Sequence, residues 1–254
     1  MTLHSASLNL HLLAGALALL CFWTAALARK GSRPHVFAGR VYLLAMLGIV
    51  ISGIPLVARF ALDGKPVMAS FFGYLLLLVS WTCWCAWRAV RDRRRPERYA
   101  GPVYLALSAL VLAAGLAVVA LGAARGAVIL VVFGLVGVLA GGDALRVRHR
   151  LGDNPRWWLK EHYGAMIGNG VATHVAFMSI GLRTLLPGMD GATLTYLAWF
   201  GPLAVALAAG WWLDRRYIRR PVFSGRRGPC LEQAGTGGIG PHSTPTVVAE
   251  HRHG

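Results

Sequence analysis

The sequence predicts an all-α fold, a polytopic transmembrane helix bundle of about seven spans, and three observations carry that expectation. Of 254 residues, 56% are hydrophobic and only 14% charged, against roughly 25% charged in a soluble domain. The charges gather in clusters. Between the clusters lie apolar runs free of Asp, Glu, Lys and Arg at residues 1–28, 41–58, 66–87, 99–124, 126–142, 162–182 and 191–213. About 17–25 apolar residues carry a helix across a bilayer.

The first run ends in Ala26-Leu27-Ala28, a sequence that a signal peptidase favours. Its N-terminal flank, Met1 to Ser7, holds no Lys or Arg, whereas Arg29 and Lys30 follow the apolar core. A secretory signal has the opposite arrangement, so the run reads as span one. The fifth run is the shortest, and the sequence places its end at Gly141-Gly142, with Asp143 already at the interface. From Asp143 to Glu161 an amphipathic or irregular link is expected, with Asp153-Asn154-Pro155 as a turn. Residues 233–249 also lack charge, but Gly, Pro, Ser and Thr dominate them. The domain reading is therefore a membrane bundle over 1–220 and a disordered cytoplasmic tail over 221–254, where His251 and His253 are solvated.

Orientation follows from the basic residues. Segments after spans one, three, five and seven hold 22 Lys and Arg, and those after spans two, four and six hold 4. Basic short loops stay cytoplasmic, which places the N-terminus outside and the C-terminus inside. The net charge of +16 is thereby a topology signal, and the expected partners are the lipid bilayer and its anionic headgroups rather than nucleic acid. Trp81, Trp84, Trp87, Trp157, Trp158, Trp211 and Trp212 fall near span ends, where indoles anchor to the headgroup layer. Small residues at a spacing of four, Gly137 with Gly141, Gly164 with Gly168 and Ala206 with Gly210, let helices approach closely.

Cysteine adds little chemistry: Cys21, Cys83 and Cys85 lie in spans and Cys230 in the tail, with no framework for disulfides. Cys83 and Cys85 point about 200° apart on one helix. Zinc-protease, nucleotide-binding and serine-hydrolase motifs are missing. A retinal Schiff base needs a buried lysine, and Lys30, Lys65 and Lys160 all sit at span borders.

Polar residues inside a span are costly and mark function or a bundle interior. Span six stands out. Its His162, Asn169 and Thr173 fall within about 40° of one another on a helix, one polar stripe, while His174 lies about 120° from His162. His11 lies near the outer start of span one and His35 just before span two, on the cytoplasmic side. Asp143 and Glu161 flank the inner ends of spans five and six.

Residues 35–53, HVFAGRVYLLAMLGIVISG, carry His35, Gly39, Arg40, Tyr42, Ser52 and Gly53. This pattern resembles the opening signature of a family of predicted bacterial membrane proteins, domain of unknown function 2306. The third span, WTCWCAWRAVRDRR, is similar to that family's third helix, and WWLKEHYGAMIGNGVATHVAF resembles a His-x-x-x-Met form among its relatives. Where the family commonly has His-x-x-Trp-Met, Arg98-Tyr99 stands here. The resemblance implies a multi-pass protein of the bacterial inner membrane and implies no particular activity.

Three function classes fit these residues. The first is haem-b or quinone-linked membrane electron transfer, since histidines from two helices hold b-type haem in membrane bundles; His174, His162, His35 and His11 are the candidate ligands. His174 is the deepest and is expected to be a ligand. The second is a small-molecule transporter using the stripe of Asn169 and Thr173. The third is a non-catalytic assembly or regulatory protein.

Overall fold

A computed structural model describes residues 3–218; residues 1–2 and 219–254, with the expected tail from Pro221 and its Cys230, His251 and His253, lie outside the described residues. In chain order the helices are α1 (Leu3–Leu27), α2 (Arg33–Leu62), α3 (Pro66–Arg91), the single turn α4 (Pro96–Tyr99), α5 (Pro102–Arg125), α6 (Val128–Val147), α7 (Trp157–Leu185) and α8 (Gly191–Leu213). No strand occurs among the described residues. Seven of the helices are long and apolar enough to cross a bilayer. They expose the residues that a water-soluble surface hides: Leu13 is 71% exposed, Phe37 71% and Leu139 70%. The protein is thus a multi-pass integral membrane protein.

Local signals set the helix ends. Proline, whose missing N–H costs nothing there, opens α3, α4 and α5. The Ser32 hydroxyl caps α2 by accepting from the His35 N–H, and Asp190 caps α8 by accepting from Thr193 N at 2.9 Å. Gly126 closes α5 at φ 60°, a left-handed conformation that glycine adopts without strain.

Three helices run longer than their apolar cores. α2 begins at Arg33 and takes in His35 and Arg40, α6 continues through Gly141-Gly142 and Asp143 to Val147, and α7 begins at Trp157, before Glu161 and His162. The expected end of span five at Gly141-Gly142 and the link to Glu161 are corrected accordingly. The physical reason is simple: a charge-free run marks the hydrocarbon slab, but a helix persists into the headgroup layer, where charged side chains are solvated. Only residues 148–156 form the link, a 3₁₀ turn at Arg148–Asp153 followed by the expected turn. There the Asn154 side chain accepts from Arg156 N at 2.8 Å.

α3 and α7 form the centre of the bundle. α3 packs on α2, α5 and α7, and α7 packs on α1, α3 and α8, while α1–α2 and α5–α6 are tight hairpins. The end bearing Arg29–Arg40, Arg88–Arg98, Arg146–Arg156 and Arg215–Arg216 is called the basic end below.

Tryptophans divide there by burial. Trp87, Trp211 and Trp212 are exposed, with Arg91, Arg215 and Arg216 stacked over them at 4.9, 3.8 and 5.0 Å. Trp81 and Trp157 are instead buried and belong to an aromatic core with Tyr99 and Tyr104. These two are packing residues, because neighbouring α4, α5 and α6 cover the face that an anchor would present to lipid.

Candidate functional site

α7 carries the polar residues, and each of its neighbours supplies partners for them. Asn169 is fully buried and Thr173 is 3% exposed, both facing the bundle interior. Thr82 of α3 donates to Asn169 Oδ1 at 2.6 Å. Thr173 turns its hydroxyl back to its own helix, to Gly170 O at 3.0 Å. Tyr42 is buried above this pair, against Phe22. Cys83 lies beside the Asn169 amide, whereas Cys85 faces the opposite side, near Tyr99.

The four candidate histidines differ in what their ring nitrogens do. His174 gives its Nδ1–H to Gly170 O at 2.7 Å and accepts from Trp23 Nε1–H at 3.1 Å. Both nitrogens are therefore spent, and the ring is held edge-on by Phe22 and Trp23. Phe22 reaches this position because residue 170 is glycine; a Cβ there would lie 2.6 Å from the Phe22 ring. His174 sits on the α1 side of the helix, off the Asn169–Thr173 stripe.

His11 contacts Ser52 Oγ through Nδ1 at 3.1 Å. Ser52 already donates its own hydrogen to Gly48 O at 2.7 Å, so His11 is the donor. Among the described residues no hydrogen bond or ring contact joins His11 to His174.

His35 and His162 lie at the same end of the bundle, and each bonds a backbone carbonyl of a neighbouring helix. His35 Nδ1 lies 2.9 Å from Ala25 O of α1, and His162 Nδ1 lies 3.0 Å from Ala86 O of α3. A carbonyl can only accept, so each Nδ1 carries a proton, and in the neutral form of either ring the lone pair lies on Nε2. Both rings lie at the basic end, His35 on α2 and His162 on α7, with Lys30 at the same end. Lys30 is held over the C-terminus of α1, donating to Ala25 O at 3.0 Å and Ala26 O at 2.5 Å. A ring nitrogen tied to a backbone carbonyl is the arrangement that commonly fixes an imidazole whose other nitrogen ligates. Among the described residues no group of three or more His, Cys, Asp or Glu side chains is placed to hold a metal ion.

One helix turn position away, Glu161 faces another direction. Its Oε2 accepts from the Tyr99 hydroxyl at 2.8 Å. Burial and the Glu161 charge beside it push the Tyr99 phenol up, so Tyr99 stays protonated and remains the donor. Glu161 lines a cavity of about 1170 Å³ whose walls come from α1, α2, α3, α5, α6, α7 and α8. The walls are mostly apolar. Polar groups mark its two ends: His11, Arg59 and Asp63 at one, and Asp143, Lys160, Glu161, Tyr163 and Asp214 at the basic end. Neither the cavity nor the Tyr99–Glu161 bond was legible from sequence; the one signal was Glu161 beside an apolar run. No protein-family model, curated protein or solved structure matches the chain.

Proposed function

We propose that this protein transfers electrons in a bacterial inner membrane through a b-type haem held by His35 of α2 and His162 of α7, with its basic end in the cytoplasm. One observation carries the reading: both imidazoles are fixed through Nδ1–H to backbone carbonyls of neighbouring helices, which leaves Nε2 available as axial ligands require. The pair replaces His174 as the favoured ligand, because a ligating His174 would have to give up its bond from Trp23. Lys30 and the arginines of the basic end supply positive charge suited to carboxylates. When bound, the haem supplies one-electron chemistry. The chain's own contribution is to set the two ring planes, fix their tautomers and keep the site packed between α1, α2, α3 and α7.

The absorption spectrum of protein purified from haem-replete cells tests this directly. A Soret band with sharp bands on reduction is expected, and a colourless protein contradicts the reading. A second reading, passage of a small molecule across the membrane, is favoured by the cavity's reach from Asp63 to Glu161. Its apolar walls suit an apolar cargo rather than a polar one.

A further inference from the structure

The cavity has features that the histidine pair does not explain. It is larger than the roughly 300–1,000 Å³ of drug-sized ligand sites, and it is long. Its lining runs on α7 from Gly164 to Ile180 and on α3 from Phe72 to Cys85, which at 1.5 Å per residue amounts to about 20–24 Å. That is a slot for an extended chain.

The glycines of α7 keep it open. A Cβ on Gly164 would meet no atom within 4 Å, and one on Gly168 would only touch Thr82 at 3.9 Å. Both residues line the cavity, so the small side chains here make space instead of a helix contact.

The basic end decides what head group the chain can carry. Despite the name of that end, the groups lining the cavity there are three carboxylates, Asp143, Glu161 and Asp214, against one Lys160. Asp214 accepts from the Tyr163 hydroxyl, and Glu161 accepts from Tyr99 through Oε2, leaving Oε1 to accept from a ligand. A phosphate or carboxylate head would be repelled by this set. A neutral head that donates hydrogen bonds is favoured, since Glu161 Oε1 and the Asp143 and Asp214 side chains can each accept from it. Trp81, Tyr104 and Trp211 bring aromatic faces to the same end, suited to a flat ring.

We propose that the cavity is a binding site for a membrane quinol, its hydroxylated ring at Glu161 and its isoprenoid tail along α3 and α7. This deepens the electron-transfer reading by naming a reductant class, yet it rests on the cavity alone. Glu161 and His162 are adjacent in sequence and face different sides of α7, so the ring would lie on one side of the helix and the histidine pair on the other.

Native mass spectrometry of the protein released from bacterial membranes tests the assignment, since quinol, phospholipid and haem differ in mass. One bound quinol or quinone per chain is expected. Glu161→Gln should weaken retention about tenfold, the loss of one hydrogen bond. Gly164→Leu should empty the slot without disturbing the fold, as its Cβ meets nothing. A phospholipid or fatty acid in place of the quinol, or quinol retained equally by Gly164→Leu, would overturn the proposal. Haem appears as its own mass, so its absence bears on the histidine pair and leaves the quinol result readable.

Discussion

The α5–α6 hairpin and α7 carry the same small-residue spacing and use it in opposite ways. In the hairpin, glycine is contact. A Cβ on Gly122 would lie 2.8 Å from Val131 N, one on Gly134 2.9 Å from Val119 N, and one on Gly141 2.8 Å from Ser108 O. Backbone meets backbone there, with Val119, Leu130 and Val131 side chains closed around the contact. In α7, Gly164 and Gly168 face the cavity, and only Gly170 receives a neighbouring ring. Lipid offers no hydrophobic force to drive helices together, so the hairpin depends on closeness alone. α7 can be loosely packed along one face because its polar side chains find partners on α1 and α3.

The contrast is broken most severely at Gly122. Gly122→Leu should destabilise the protein by about 1–3 kcal/mol or more, the cost of overpacking a close contact, whereas Gly164→Leu should leave it near neutral. Thermal unfolding in detergent checks both. Equal losses in the two variants would show that α7 is packed as tightly as the hairpin.

A smaller effect is expected where α7 depends on its polar partners. Thr82→Val leaves the buried Asn169 amide without its partner and should cost about 1–3 kcal/mol; Asn169→Ala should cost less through this bond, since the Thr82 hydroxyl keeps Leu78 O as an acceptor at 2.9 Å. Tyr74→Phe sharpens the comparison from the hairpin side. It deletes a buried bond from α3 into α6, to Phe133 O at 2.8 Å, and should cost about 0.5–1.5 kcal/mol.

The smallest effect lies at the loop before α8. Its cap bond to Thr193 holds the Asp190 carboxyl below its ordinary value of 3.8. A depressed folded-state pKa means that the cap is fully in place above that ordinary value and is lost as pH falls through the lower one. Protection against hydrogen exchange at the first turn of α8 should therefore fall only in acid, and Asp190→Ala should lower it at neutral pH while matching the unsubstituted protein in acid.

How far these features were legible in sequence follows from what each depends on. The seven spans depend on composition along the chain and were readable, down to the turn at Asp153-Asn154-Pro155. Helix ends beyond the hydrocarbon, at Arg33, Val147 and Trp157, were not, because headgroup-level charges neither require nor forbid a helix. The interior stripe of Asn169 and Thr173 follows from helical period. The state of each histidine does not, since it is set by carbonyls of Ala25 and Ala86 and by the Trp23 N–H, which only tertiary packing delivers. Depth alone pointed to His174; the hydrogen bonds occupy both of its ring nitrogens and only Nδ1 of His35 and His162. Likewise a spacing of four between glycines says that a gap exists and is silent on whether another helix fills it.

The account therefore turns on which histidines keep a free nitrogen, and the reduced-minus-oxidised difference spectrum of single variants measures that. His162→Ala and His35→Ala are each expected to abolish or shift the haem band, with His174→Ala retaining it. A band that survives His162→Ala and disappears in His174→Ala would contradict the account.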